Sequence, residues 1–153
     1  MRIWVDADAC PGPVMEILFR AADRVRVTVT LVANKPLRIP ESPYVKSIRV
    51  SAGFDVADRR IARLVDRGDL VVTADIPLAA DVIKRGALAL DPRGELYTAD
   101  NVGERLAVRN LMDELRSAGM DTGGPASYGK SERQAFANQL DRLLTRYLAD
   151  ASE

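Results

Sequence analysis

Two aspartates near the start of the chain are the residues best suited to chemistry. Asp6 and Asp8 follow the short apolar segment 3–5, and alternate side chains of extended backbone share a face, so both carboxylates can face one ligand. A divalent cation would offset the repulsion between the two acids and can activate water toward a phosphodiester. The pair predicts a metal site; in the alternative interpretation, Asp8 caps the following helix and Asp6 makes an ordinary turn contact.

Other reactive side chains stand near the starts of predicted helices. Asp75 follows a buried segment and shortly precedes Pro77, a position where a helix cap and a site residue look alike. Asp55 and Asp58 have the spacing of an N-cap residue and its partner in the first turn, so one of the two is expected to be structural. Cys10 has no neighbouring base in the sequence, and packing is its expected role.

Several basic residues have the placement of phosphate contacts. Lys130 and Arg133 flank the start of the last predicted helix, where they would either grip a phosphate or form a solvated helix end. Arg105, Arg109 and Arg116 recur at helical spacing, and this stripe would either follow a nucleic-acid backbone or pair with acids of the same helix. Both interpretations stay open for each group.

Composition narrows the classes of protein and of reaction. The 153 residues are 47% hydrophobic, enough for one well-buried core and too few for two ordinary domains, so 1–153 is predicted to be a single domain. Basic and acidic residues number 22 each, so nucleic acid would have to bind at local patches. The absence of histidine excludes reactions that need an imidazole base, which leaves acid chemistry to Asp and Glu.

The location of the protein can also be predicted from composition. A single cysteine excludes an internal disulfide, and the sequence shows neither a signal segment nor an apolar run long enough to span a membrane. We therefore expect a cytoplasmic protein that does not associate with membranes. The sequence also lacks the glycine-rich signatures of dinucleotide-binding and P-loop enzymes, which argues against these two enzyme classes.

The elements that must position these residues alternate between strand and helix. Apolar segments bounded by turn signals predict five strands, and apolar residues at helical spacing predict five helices. The predicted strands are 2–5, 25–32, 45–50, 70–73 and 87–90, and the predicted helices are 13–23, 55–67, 75–84, 100–118 and 131–150. A glycine-rich linker, 119–130, joins the last two helices.

This alternation predicts an α/β fold, a three-layer α/β/α sandwich around a mainly parallel five-stranded sheet. The first and fourth strands are expected to lie side by side near the switch point of the sheet, and helices 100–118 and 131–150 to pack on the same core. Asp6, Asp8 and Asp75 would then converge at the carboxyl ends of the strands. Asn34 is also expected at a strand end.

Two segments carry a resemblance to a known family. Residues 3–11, IWVDADACP, and residues 68–79, GDLVVTADIPLA, resemble the YaiI/YqxD family of uncharacterised bacterial proteins, and the resemblance covers almost the whole chain. It includes further positions at Asn34, Tyr97-Thr98, Asn101, Arg109, Gly123-Gly124-Pro125 and the helix 133–144. The family is similar to PIN-like nuclease domains, whose active sites gather acidic residues around Mg²⁺ or Mn²⁺ at the ends of parallel strands.

The resemblance implies a PIN-like metal site in this chain. Asp6, Asp58 and Asp75 would hold Mg²⁺ or Mn²⁺. Asp8 belongs to the family's own motif and would join these three residues in catalysis. The candidate substrate contacts are Asn34, Thr73, Arg109, Lys130 and Arg133.

The chain departs from the PIN pattern at two points. An equivalent of the second PIN acid is missing, because Glu41, which is nearby in the sequence, lies in a proline-rich loop. Where an Asp-Arg pair is expected to open the last helix, the sequence has Ser131-Glu132-Arg133, with Glu132 in place of the Asp. Fewer carboxylates favour one metal ion over two.

Three functions follow from these observations. The leading one is a Mg²⁺- or Mn²⁺-dependent nuclease that hydrolyses phosphodiesters, with RNA favoured over DNA. The second is a non-catalytic nucleic-acid-binding module, suggested by the missing acid and the zero net charge. The third is a phosphatase with Asp6 as nucleophile and Asp8 as acid, although Cys10 replaces the expected hydroxyl residue and Asp69 precedes its strand instead of following it.

Overall fold

The computed structural model describes residues 1–124 and 127–151 and contains the predicted alternation of strands and helices. The strands are β1 (Ile3–Asp6), β2 (Val29–Ala33), β3 (Val45–Arg49), β4 (Leu70–Val72), β5 (Leu88–Leu90) and β6 (Leu96–Tyr97). The helices are α1 (Gly12–Val25), α2 (Val56–Leu64), α3 (Ile76–Lys84), α4 (Val102–Ser117) and α5 (Lys130–Ala151), and a short 3-10 turn, Ala7–Ala9, follows β1. Pro125 of the predicted linker lies outside the described residues.

The strands form one sheet in the order β3-β2-β1-β4-β5-β6. The first five strands are parallel, and β6 runs antiparallel to β5. The predicted mainly parallel sheet, with the first and fourth strands adjacent, is therefore confirmed. The predicted count of five strands is wrong, because β6 has only two residues and is too short to show an alternating pattern.

A glycine turn leads into β6 and brings the last helix against the sheet. Gly94 has φ of 94°, and a Cβ at this position would lie 2.6 Å from the backbone carbon of Ala135 on α5. Any larger residue would therefore collide with the α5 backbone as well as strain its own. The turn after β5 thus packs directly on the first half of α5.

Alternate residues of the strands face two helical layers. Ile3 and Val5 pack with α1 and α5 on one face of the sheet, and Trp4 packs with α2 and α3 on the other. Phe136 on α5 and Ile61 on α2 are fully buried in these two cores. The predicted three-layer α/β/α arrangement is confirmed.

The two C-terminal helices contribute unequally to the cores. Helix α5 buries Phe136, Leu140, Leu143 and Leu144. Within the described chain, Val102 is the one residue of α4 that is buried, and the apolar side chains Val108, Leu111 and Met112 are 45%, 53% and 38% exposed. Helix α4 therefore packs through its first turns. No helix of the described residues is both long and apolar enough to cross a membrane.

Two element boundaries differ from the prediction for identifiable reasons. Helix α1 continues to Val25 and ends at Arg26, whose backbone is left-handed (φ 57°), so β2 begins at Val29 instead of 25. Helix α2 ends at Leu64 instead of 67, because Val65 takes an extended conformation and its side chain is buried. In both cases the apolar pattern assigns one valine to the wrong element: Val25 to the second strand instead of α1, and Val65 to α2 instead of the segment that follows it.

Candidate metal centre

The ends of β1 and β4 are joined by a threonine. The Thr73 hydroxyl donates to Asp6 Oδ2 at 3.0 Å, and Thr73 Oγ1 accepts from the backbone N–H of Asp75 at 3.0 Å. Thr73 is 1% exposed, so its side chain supports Asp6 from the interior and is not accessible to a substrate. The carboxyl ends of β1 and β4 flank the switch point of the sheet, which is the usual ligand crevice in this class of fold.

Asp75 both caps a helix and belongs to an acidic cluster. Its Oδ1 accepts from the backbone N–H of Leu78 at 3.0 Å, so the predicted cap of α3 is present. One oxygen each from Asp55, Asp58 and Asp75 lies within 4.8 Å of the other two, close enough to hold one metal ion. The two interpretations of Asp75 are therefore compatible, since the cap occupies only one of its carboxylate oxygens.

Asp55 is the acid whose role sequence reasoning missed. It stands at the N-cap position of α2, as predicted, but among the described residues its carboxylate accepts no capping bond, and its backbone is left-handed (φ 63°). The expected capping role is therefore wrong. Residues three apart lie on the same side of a helix, so the spacing of Asp55 and Asp58 would also have supported a shared site.

The acidic cluster has unusual electrostatics. Burial, together with a hydrogen bond to Asp75 and the charges of Asp75, Asp6 and Asp55, raises the pKa of Asp58 to about 8. Burial raises the pKa of Asp6 too, along with the charges of Asp75 and Asp8, while the hydrogen bond from Thr73 lowers it. In the absence of a metal ion, these shifts favour the protonated forms of Asp58 and Asp6.

Among the described residues, no basic side chain forms an ion pair with this cluster. Across 1–124 and 127–151, the ion pairs formed by Arg residues involve other acids, namely Asp66, Asp69, Glu95, Asp113, Glu132 and Asp141. Repulsion between carboxylates is relieved by a proton, a basic side chain or a metal ion. The site therefore has the donor atoms and the negative charge that a divalent cation requires. The charge of Asp6 adds to that of the triad and acts on Asp58.

Asp8 and Asn34 lie beside the triad. Asp8 Oδ2 accepts from the backbone N–H of Asn34 at 2.9 Å, which ties the end of β1 to the end of β2. The N-cap of α1 is Pro11, so the alternative that Asp8 caps this helix is wrong. Asp8 and Asn34 line one side of a depression whose other walls include Asp58 and Asp75.

A second depression adjoins the first and shares part of its lining. Both depressions are lined by Phe54, Asp55, Asp58 and Asp75. The second adds residues of both charges from α2, α3 and α4, namely Arg59, Asp81 and Arg109. Together they form a groove at the acidic cluster, and two of the predicted substrate contacts, Asn34 and Arg109, line it.

The arginine stripe of α4 is paired with acids. Arg109 and Arg116 contact Asp113 at 3.0 and 2.6 Å. Arg105 contacts Glu95, in the turn before β6, at 2.6 Å. Pairing within the helix, one of the two open interpretations, therefore accounts for two of the three arginines, and Arg105 finds its partner outside the helix.

Lys130 and Arg133 lie apart from the groove. Both are exposed in the first turn of α5, next to the turn that follows β5, and the described residues that line the two depressions do not include them. Glu132 accepts from the backbone N–H of Gly129 at 3.0 Å, so it stabilises the start of α5. The structure does not bring these residues to the carboxylates.

The phosphatase interpretation has little geometric support. Asp69 lies at the amino end of β4, where it accepts bonds from the backbone N–H of Arg2 and from Trp4 Nε1 at 2.9 and 3.1 Å. This is the edge of the sheet opposite Asp6. Cys10 is half-buried, and burial together with the charge of Asp6 raises its pKa to about 12, so the thiol is protonated and packs against the core as predicted.

Comparison with known proteins identifies the family. A UPF0178 protein of Shewanella amazonensis is 62% identical over 146 residues, covering 95% of this chain and 98% of that protein. UPF0178 proteins of Herminiimonas arsenicoxydans and Thioalkalivibrio sulfidiphilus are 62% and 61% identical, covering 95% of this chain and 98% and 99% of theirs. No solved structure matches the chain.

The family model matches over nearly the same span. The model of the uncharacterised YaiI/YqxD family matches residues 4–146, which include all the acids of the groove. The predicted family is confirmed, whereas the similarity to PIN-like domains stays a prediction. This chain belongs to the YaiI/YqxD family.

Proposed function

We propose that this protein is a Mg²⁺- or Mn²⁺-dependent nuclease that hydrolyses phosphodiester bonds of RNA in the cytoplasm. The observation that carries the proposal is the triad of Asp55, Asp58 and Asp75, which lies at the switch point of the sheet without a neutralising basic side chain among the described residues. Carboxylate oxygens are the ligands that hard divalent cations prefer.

The donor set fits a single small divalent cation. Asp58 and Asp75 would hold it together with Asp55 or Asp6, both of which add negative charge at Asp58. When bound, the cation would supply an activated water and would shield the charge of the phosphate. Asp55 gives the cluster a further carboxylate, which offsets the missing second acid of the PIN pattern.

The remaining groove residues would orient the substrate. Arg59 and Arg109 line the second depression, and their guanidinium groups would contact a phosphate that enters it. Asp8 holds the backbone of Asn34 and would shape the opposite end of the groove. Proton transfer would fall to a carboxylate that does not hold the cation, since the sequence contains no histidine.

The proposal is tested by incubating the purified protein with end-labelled RNA and DNA in Mg²⁺ or Mn²⁺. We expect cleavage of RNA that is lost on chelation and in Asp58→Asn. Asp141→Asn is the matched control, because Asp141 is an exposed acid that pairs with Arg24 on the other helical layer. Intact RNA with either cation, or equal cleavage by Asp58→Asn, would refute a nuclease that uses this cluster.

The non-catalytic binding module is the second candidate, and the two arginines that line the groove favour it. Such a module would bind RNA through Arg59 and Arg109, and the binding would weaken with salt. RNA binding without cleavage that survives Asp58→Asn but falls in Arg109→Ala would select this function over the nuclease.

A further inference from the structure

An exposed aromatic ring stands in the middle of the groove. Phe54 is 89% exposed, and it lines both depressions that meet at the acidic cluster. It is the one exposed aromatic residue in the described part of the chain, while Trp4, Tyr97 and Phe136 are buried. A lone phenylalanine on a surface needs no explanation by itself. The position of this one, between two arms of a groove lined by acids and arginines, does.

A tight turn presents the ring. Gly53 precedes it with φ of 151°, and a Cβ at Gly53 would lie 3.1 Å from Val56 Cγ2. Asp55 follows it with φ of 63°, a left-handed conformation that aspartate adopts more readily than most residues other than glycine. Two residues with positive φ therefore flank Phe54, and the same turn places Asp55 in the acidic triad.

The surroundings of Phe54 match the chemistry of an unpaired nucleotide. An aromatic ring offers a flat apolar face on which any base can stack, and arginines beside it can hold the phosphates. Arg59 and Arg109 lie in one arm of the groove, whereas Asp8 and Asn34 lie in the other. Bases within a duplex are already stacked on each other, so only a single strand can offer a free face to the ring.

We propose that Phe54 stacks on an unpaired base next to the phosphodiester held at the Asp55, Asp58 and Asp75 cluster, which makes single-stranded RNA the substrate class. This inference rests on the proposed nuclease function and adds to it a residue that selects strand state. Stacking is tolerant of sequence, so Phe54 distinguishes a single strand from a duplex and does not read the base.

The test measures stacking and cleavage in the same sample. The full chain is titrated in Mg²⁺ into a short single-stranded RNA that carries 2-aminopurine, whose fluorescence falls when it stacks, and into the same RNA annealed to its complement. Each sample is then run on a denaturing gel. Phe54→Ala is compared with Phe54→Trp, which keeps the stacking surface, and with Leu148→Ala, which truncates another exposed apolar side chain (43%), on α5.

We expect Phe54→Ala to bind the single strand about 5- to 150-fold more weakly, with loss of the fluorescence change, and to leave duplex binding unaltered. Phe54→Trp and Leu148→Ala should bind as the wild type does. Equal single-strand binding by Phe54→Ala and wild type would overturn the stacking role and would point to another use of this ring, such as contact with a protein. Stacking without cleavage by the wild type would leave this role in place and refute only the nuclease.

Discussion

The two ends of the sheet each carry a group of aspartates, and the two groups are built differently. The amino edge is formed by the amino ends of the strands, and the carboxyl edge by their carboxyl ends. At the amino edge, buried Asp69 accepts bonds from the backbone N–H groups of Arg2 and Asp66 and from Trp4 Nε1. The Arg2 guanidinium pairs with Asp69 and Asp66. At the carboxyl edge, Asp58 and Asp75 face each other and Asp55 without a basic partner among the described residues.

This difference separates structural acids from candidate functional ones. An acid that stabilises a fold is surrounded by donors and by a cation of the same chain, because an unpaired buried charge costs several kcal/mol. The amino edge follows this rule. The carboxyl edge raises the pKa of Asp58 to about 8 instead, which means that the fold tolerates a carboxylate it does not neutralise. Perturbed groups of this kind are concentrated at functional sites.

The largest effect is expected from breaking the amino edge. Asp69→Ala leaves Trp4 Nε1 and two backbone N–H groups without their acceptor, so we expect it to lower the free energy of unfolding by about 3 kcal/mol or more. Urea denaturation measures the change. Asp66→Ala is the control: its carboxylate is 77% exposed and should cost less than about 1 kcal/mol. Equal costs for the two variants would show that the buried bonds of Asp69 contribute little.

A smaller effect is expected from the threonine that supports the carboxyl edge. Thr73→Val removes the hydroxyl that donates to Asp6, so we expect Mn²⁺ affinity to fall about tenfold, as is typical when a partner of a metal-binding acid is lost. Calorimetric titration with Mn²⁺ measures this. Thr30→Val, a change at a buried threonine of β2, should leave Mn²⁺ affinity unaltered. A similar loss in both variants would indicate a general loss of packing.

The stability of the metal-free protein should change with pH through Asp58. Its pKa is raised to about 8 in the folded state from an ordinary value of 3.8, so the folded protein keeps a proton that the unfolded chain loses, and stability falls as the pH rises from about 4 to 8. Asp58→Asn removes this penalty. The carboxylate is partly solvated, so we expect a gain of only about 1 kcal/mol at pH 8.

Thermal denaturation in a chelator at several pH values checks this expectation. The advantage of Asp58→Asn over the wild type should disappear near pH 4, where Asp58 is protonated in the folded state and half-protonated in the unfolded chain. An advantage that is constant with pH would assign the effect to packing instead of charge.

The smallest effect on stability is expected at the rim of the groove. Arg109 is exposed and pairs with Asp113, so Arg109→Ala should change the free energy of unfolding by less than about 0.5 kcal/mol. It should nevertheless weaken RNA binding and lower the slope of log affinity against log salt by about 1, because Arg109 lines the groove. Arg116→Ala, which removes the other partner of Asp113, is the control and should leave the slope unchanged.

The sequence was sufficient to predict the layers, the adjacency of β1 and β4, and the positions of Asp58 and Asp75 at helix starts. These features follow from local periodicity and from the handedness of crossovers. It was not sufficient for β6, which has only two residues. Nor was it sufficient for Asp55, which stands at an N-cap position but whose carboxylate lies close to those of Asp58 and Asp75. The groove around Phe54 depends on a left-handed turn that no pattern of apolar residues encodes.

The central claim is that the carboxyl-edge acids bind a divalent cation, and calorimetric titration with Mn²⁺ at pH 7 tests it most directly. Metal binding requires deprotonated ligands, so Mn²⁺ should displace the proton held by Asp58, whose pKa is about 8. Repeating the titration in buffers of different ionisation enthalpy measures this release. We predict that wild type binds Mn²⁺ with close to one proton released and that Asp58→Asn binds much more weakly without release. Absence of Mn²⁺ binding by the wild type, or equal binding by Asp58→Asn, would contradict a metal centre at this edge of the sheet.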